Sequence, residues 1–274
     1  MEHTMTTSEV RAAADRLGLR PSKALGQNFL VDGNILRLIL NEADVREDET
    51  VLEIGPGLGA LTRLLTAHAR RVIAIEKDAR LAAYLREELP TLELIEADAV
   101  DWLRDPPLLA GLADGFKVVS NLPYSVASPV IEALVEGSSK PRKMVLTVQR
   151  EVAERLAATP RHKDYGAMTL FTQVRYHVTV AHVISPRCFW PSPNVESAVV
   201  ALDRRDPRVA LKPDAPFRDL VRAGFAHRRK MLRKLLTAFD GVESAFDSLD
   251  IPTNARAEEL SLDQWIRLAN AVGS

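Results

Sequence analysis

The chain has 274 residues, 46% of them hydrophobic and 27% charged, the balance of an ordinary globular protein long enough to bury a core without covalent staples. Its single cysteine, Cys188, excludes an intrachain disulfide and thiolate-rich zinc sites, and no metal is expected. No stretch nears the roughly 20 apolar residues of a membrane span, and the opening MEHTMTTSEV lacks the basic-then-apolar order of a secretory signal. A cytoplasmic setting with no membrane partner fits these features. The net charge of −1 conceals an asymmetry: between Arg204 and Lys234, eleven basic residues stand against three acids. Such a stretch points to a polyanion-facing surface, with a solvated helical face as the plainer alternative.

In chain order, Thr7–Leu17 reads as a short helix, capped by Thr7 or Ser8 and stopped by Gly18. An irregular stretch, RPSKALGQNFLVDGN, leads to a helical pattern over Ile35–Ala43. Strands are then expected at Val51–Gly55, Arg71–Glu76, Leu92–Ala97, Phe116–Asn121 and Lys143–Gln149. Between and after them, helices are expected at Ala60–His68, Ala79–Leu89, Pro129–Glu136 and Glu151–Ala158. Short apolar strands alternating with helices imply βαβ units and a parallel sheet covered on both faces. Val178–Ile184 and Ser197–Leu202 are later strands joined only by a proline-rich link, too short for a crossover helix, so that pair is expected to be antiparallel. This is the pattern of an α/β, class I S-adenosylmethionine-dependent methyltransferase: a Rossmann-like, mostly parallel sheet with an antiparallel final strand. Past Asp203 the strand signals stop, and Phe217–Phe225, Lys230–Phe239 and Leu262–Val272 read as helices. The expected organisation is a methyltransferase domain with an N-terminal extension over 1–205 and a small all-α RNA-binding domain over 206–274.

Val51-Leu-Glu-Ile-Gly-Pro-Gly-Leu-Gly-Ala60 is a strand, a glycine turn and a helix start. Gly55 and Gly57 let the backbone turn tightly and approach a ligand with no Cβ in the way. Glu76 ends the next strand, where an acid can accept the hydroxyl hydrogens of a ribose. The loop alone allows NAD, FAD or S-adenosylmethionine, since all three carry an adenosine. Asp98 follows the third strand at the carboxyl end of the sheet, where it can accept the adenine amino hydrogens or cap the helix that begins near Ala99.

Asn121-Leu122-Pro123-Tyr124 follows the fourth strand. An adenine N6 amine is a poor nucleophile because its lone pair is delocalised into the ring. Two acceptors aimed at its hydrogens would draw the nitrogen towards tetrahedral geometry, and the Asn121 side-chain oxygen and the Leu122 carbonyl are candidates. Pro123 biases the residue before it to an extended shape, and Tyr124 offers a flat face for an unstacked base. Transfer would then be an in-line displacement governed by proximity and orientation.

GQNFL (Gly26–Leu30), LEIGPGLGALT (Leu52–Thr62), IEKD (Ile75–Asp78), NLPY, QREVAERL (Gln149–Leu156) and PSPNVESAVV (Pro191–Val200) occur in that order. Together they resemble the ribosomal RNA adenine N6-dimethyltransferase family, in its bacterial small-subunit branch, from about Lys23 to the end of the chain. The resemblance implies S-adenosylmethionine as cofactor, contacted by Asn28, Leu30, Gly55, Gly57, Glu76 at the ribose, Lys77, Asp98 at the adenine, Ala99 and Asn121. It implies Phe189 as a second aromatic on the target base, with Trp190 as an alternative and Ser192 in place of a usual proline. Phe225–Leu236 is similar to the family's basic segment, so Arg222, Arg228, Arg229, Lys230, Arg233 and Lys234 are expected to meet RNA phosphates. The implied partner is the small ribosomal subunit and its rRNA, engaged by a monomer, and the implied reaction is double methylation of two adjacent adenosines near the 3′ end. A large-subunit methyltransferase of the same family, an assembly factor that only docks on subunits, and a nicotinamide oxidoreductase are the other readings. The last explains the glycine loop but not NLPY, GQNFL or the basic segment.

Overall fold

A computed structural model describes residues 5–19, 28–104, 112 and 115–273. The chain divides into two compact units, one of residues 1–153 with 179–203, the other of residues 154–178 with 204–274. The second unit therefore takes in residues 154–178, which the sequence reading assigns to the first domain.

The first unit opens with α1 (Thr7–Arg16), capped by Thr6 rather than Thr7 or Ser8: the Thr6 hydroxyl accepts from Glu9 N while Glu9 bonds back to Thr6 N. β1 (Phe29–Leu30) and α2 (Gly33–Ala43) follow, the latter capped by Asp32. Then come β2 (Thr50–Ile54), α3 (Ala60–His68), β3 (Arg71–Glu76), α4 (Ala79–Glu88), β4 (Glu93–Glu96), α5 (Ala99–Leu103), β5 (Lys117–Asn121), α6 (Ala127–Glu136) and β6 (Lys143–Gln149). The chain leaves through α7 (Arg150–Ala157) and α8 (Ala167–Gln173) and returns along β7 (Tyr176–Ile184), β8 (Phe189–Trp190) and β9 (Ser197–Arg204).

The main sheet has the order β4-β3-β2-β5-β6-β9-β7, with parallel pairing from β4 through β6 and β9 antiparallel to β6. This is the class I methyltransferase fold. Central strands are mostly apolar because helices cover both faces: Val51, Val119, Val145 and Val199 join Leu36 and Ile39 of α2 and Leu61 and Leu65 of α3 in one buried cluster. Burying each such side chain contributes roughly 1.5–3 kcal/mol. β1 and β8 form a separate two-stranded antiparallel ribbon, with Phe29 opposite Trp190 and Leu30 opposite Phe189. Between β2 and β5 the order of strands reverses direction along the chain, and this is where an open α/β sheet forms its ligand crevice.

The second unit is helical: α8, α9 (Phe217–Phe225), α10 (Leu232–Leu235), α11 (Val242–Ser248) and α12 (Leu262–Ala271). Its core joins Tyr165, Leu170, Phe217, Leu220, Leu232, Phe246 and Trp265. The helix expected over Lys230–Phe239 is a correction: only the single turn of α10 forms. Met231 is extended, and Leu232 N donates to Ala255 O at 2.8 Å instead of to a carbonyl one turn back. Arg228–Lys230 therefore stand on turns, not on a helix.

Candidate active site

The carboxyl ends of β2, β3 and β5 open into one cavity of about 360 Å³. Two glycines line it, both with positive φ: Gly55 at +68° and Gly57 at +59°; Gly59, at +80°, turns the chain into α3 behind them. A Cβ at Gly55 would stand 3.0 Å from Pro123 Cδ, and one at Gly57 3.0 Å from the Phe29 ring. The loop is thus pressed between the NLPY turn and the β1 ribbon, and the chain approaches the cavity with bare backbone.

Glu76 ends β3 almost wholly buried. One carboxylate oxygen accepts Gly57 N at 3.2 Å and the other Asp78 N at 2.9 Å. Burial pushes its pKa up, and those backbone donors pull it back in part. Each oxygen keeps a second lone pair for a ligand hydroxyl. Asp98 does cap α5, with Oδ1 accepting from Val100 N and Asp101 N. Its Oδ2 bonds Lys77 Nζ at 2.8 Å, and that bond holds the Asp98 carboxyl below its usual range. Capping and cavity lining are not exclusive, since Asp98, Lys77 and Ala99 all line the cavity.

Asn121 ends β5. Its Nδ2 donates to Asn28 O at 3.2 Å, which fixes the amide's orientation, and its Oδ1 is buried with no hydrogen-bond partner among the described residues. An acceptor in that state is costly unless a ligand donor completes it. Leu122, Pro123 and Tyr124 also line the cavity. The Tyr124 hydroxyl is tied to Ser197 Oγ at 2.5 Å, and burial pushes its pKa up. Asn121 and the glycine loop are held in register by Ser120, whose Oγ accepts from Ile54 N at 2.9 Å and donates to Ile54 O at 2.5 Å.

Asn28, Leu30, Gly55, Gly57, Glu76, Lys77, Asp98, Ala99 and Asn121–Tyr124 thus come together in one cavity. Phe189 does not. It is 3% exposed and packs in the main core beside Leu30 and Leu36, because its strand pairing with Leu30 points it inward. Trp190, the alternative, stacks on Phe29 with ring centroids 6.3 Å apart and also stays off the cavity lining. Ser192 donates to Pro186 O at 3.0 Å. Gly26 and Gln27 of the GQNFL stretch lie outside the described residues. Sequence reasoning missed Glu53, a buried carboxyl on β2 that lines the same cavity. The signal was an acid inside an apolar strand, between Leu52 and Ile54.

In the second unit, Arg228 pairs with Glu258 and the Lys163 carbonyl, and Arg233 with Glu243 and Asp247. Arg222 lies over the Phe171 ring at 5.8 Å. Arg229, Lys230 and Lys234 are exposed and form no ion pair among the described residues. Among those residues, no group of three or more His, Cys, Asp or Glu side chains could hold a metal, and no helix is long and apolar enough to cross a membrane.

The family model for ribosomal RNA adenine dimethylase matches residues 19–273. The chain belongs to this family. It is 36% identical to the ribosomal RNA small subunit methyltransferase A of Clostridium acetobutylicum, over 98% of this chain and 99% of that one. Its identity to the protein of the same name from Anaeromyxobacter dehalogenans is 40%, over 96% and 97%. Among solved structures, a dimethyladenosine transferase from Plasmodium falciparum superposes with a TM-score of 0.77 at 24% identity, covering 90% of this chain and all of that one. The 23S rRNA methyltransferase ErmE gives 0.69 at 30% identity, covering 89% and 99%. As a member of the family, the chain is an rRNA adenine dimethyltransferase.

Proposed function

We propose that the chain transfers methyl groups from S-adenosylmethionine to the N6 amines of two adjacent adenosines near the 3′ end of small-subunit (16S) rRNA, two to each, acting as a cytoplasmic monomer during subunit assembly. The observation that carries the chemistry is the buried Oδ1 of Asn121, without a hydrogen-bond partner among the described residues, on the wall of a cavity lined by bare glycine backbone. When bound, S-adenosylmethionine supplies an electrophilic methyl on a sulfonium. Gly55 and Gly57 give it backbone to lie against, Glu76 accepts the ribose hydroxyls, and Asp98 accepts from the adenine. The Lys77 side chain is mostly exposed, so its bond to Asp98 exchanges readily with a ligand donor. Asn28, Leu30, Lys77 and Ala99 enclose the rest.

At the acceptor, Asn121 Oδ1 takes one amino hydrogen and the Leu122 carbonyl the other, and Tyr124 supports the extruded base, its ring anchored through Ser197. Phe189 reaches a target base only if β8 shifts, so Tyr124 is the primary platform. Phosphate contacts fall first to Arg229, Lys230 and Lys234, which form no ion pair among the described residues. Arg222, Arg228 and Arg233 support them.

Relatives named for the small subunit support that target, as does Leu122 before Pro-Tyr, while the likeness to ErmE keeps large-subunit RNA as the second reading. The test is methyl transfer from radiolabelled S-adenosylmethionine to purified small and large subunits lacking the modifications, followed by digestion to nucleosides. Label in N6,N6-dimethyladenosine from the small subunit alone is expected. Label from the large subunit moves the chain to the other branch, and binding without label supports a docking role only.

A further inference from the structure

Glu53 takes no part in the steps above. It is 2% exposed in β2 and lines the cavity, yet its Oε2 and the Thr62 Oγ1 of α3 are buried with no hydrogen-bond partner among the described residues. A carboxylate so placed has lost water without gaining a cation. β3 brings it only another acid, Glu76. β5 contributes Ser120 and Asn121, and α3 contributes Thr62, none of which titrates in this range. No lysine or arginine among the described residues offsets it. Burial pushes the carboxyl up to about 8, and the neighbouring charge of Glu76 adds to the rise. What this corner of the cavity lacks is a positive charge.

We propose that Glu53 reads the charge of the cofactor: it ionises, giving its proton to solvent, when a ligand of net positive charge fills the cavity, and stays neutral otherwise. The inference rests on the S-adenosylmethionine reading above. That cofactor carries one more positive charge than its product, S-adenosylhomocysteine. In the transfer the methyl C–S bond breaks, the N–C bond forms, the amine proton leaves to solvent and the sulfonium becomes a neutral thioether. With the cation gone, Glu53 takes a proton back from solvent. The cavity therefore holds donor more tightly than product, and the preference grows as pH rises towards 8.

Isothermal titration calorimetry at pH 7, in buffers of different ionisation enthalpy, counts protons released on binding. Both ligands carry an α-amino group that titrates near 8, so the informative quantity is the count for S-adenosylmethionine less that for S-adenosylhomocysteine, compared between wild type and Glu53→Gln. Wild type is expected to release roughly 0.9 proton more with the donor, the fraction protonated one unit below its pKa, and Glu53→Gln close to none. Equal counts in the two proteins overturn the proposal. If Glu53→Gln fails to fold, wild type still decides, because equal counts for donor and product overturn it as well. Failure of wild type to bind either ligand would overturn the cofactor reading itself.

Discussion

Asn121 and Glu53 each bury a polar atom with no hydrogen-bond partner among the described residues, and the two stand so for different reasons. Asn121 is held from behind by Asn28, so its oxygen is presented at a fixed angle. Its replacement by alanine should lower the single-turnover methyl-transfer rate by roughly 100-fold, the scale of losing one preorganised polar group. Rapid-quench measurement should show this with cofactor affinity changed only a few-fold. Glu53 instead carries a stability cost. Its folded pKa, near 8, lies above the usual 4.5, so the folded state binds more protons between those values. The contribution is fully present below about 4.5 and is lost as pH rises through 8. Melting temperatures of the cofactor-free protein from pH 5 to 9 should fall more steeply than those of Glu53→Gln. Asn121 was legible in the sequence because the four-residue turn has a chemical rationale at the end of a strand. Glu53 was not, because one acid in an apolar strand reads as tolerated until its lack of a partner is seen.

At the level of elements, the sheet opens where it must. β2 and β5 pair in register only at Val51 with Lys117 and Leu52 with Val118, whereas β5 and β6 pair along five positions. Beyond that point the Ser120 hydroxyl bridges the strands by bonding both backbone groups of Ile54, next to Gly55 on one side and Asn121 on the other. Ser120→Ala should lower the transfer rate by about tenfold through misplacement of Asn121 relative to the loop. The KM for S-adenosylmethionine should change less than kcat. Equal changes in both would assign Ser120 a merely structural part. The helices and strands of the sheet were legible from the alternation of apolar strands with helical stretches, and the start of α5 from Asp98 as a cap. The β1–β8 ribbon was not, because two-residue strands have no period to read. Nor was the shortening of the helix expected over Lys230–Phe239 to the single turn Leu232–Leu235, where a distant carbonyl claims Leu232 N. In α9, Gly224 reads as a weak helix residue, yet a Cβ there would stand 2.5 Å from Trp265 Cη2 and 2.8 Å from Leu232 Cδ1. Gly224→Ala should destabilise the helical unit by about 2 kcal/mol despite its better helix propensity, measurable by urea unfolding.

Over the whole molecule, charge is less lopsided than the sequence suggests. The excess between Arg204 and Lys234 is partly cancelled by acids from outside that stretch, Glu243, Asp247 and Glu258. Counting along the chain cannot see such pairing. Reversing Arg229, Lys230 and Lys234 to glutamate should weaken binding to small subunits and flatten its dependence on salt by about 0.7–0.9 per lost phosphate contact, with cofactor affinity unchanged. Filter binding across a salt series measures both. Substituting Arg228 or Arg233 alone should lower the melting temperature as well, because their carboxylate partners are left uncompensated.

The helical unit is also not a tail. Tyr165, Leu170 and Val174, contributed by the excursion between β6 and β7, belong to the same buried cluster as Trp265 and Phe246. The Tyr165 hydroxyl donates to Leu260 O at 2.9 Å. A fragment beginning near residue 206 would lack part of its own interior. Grafting this unit onto a related enzyme therefore needs two splice points, and a stop codon after β9 would strand the excursion with its apolar face uncovered.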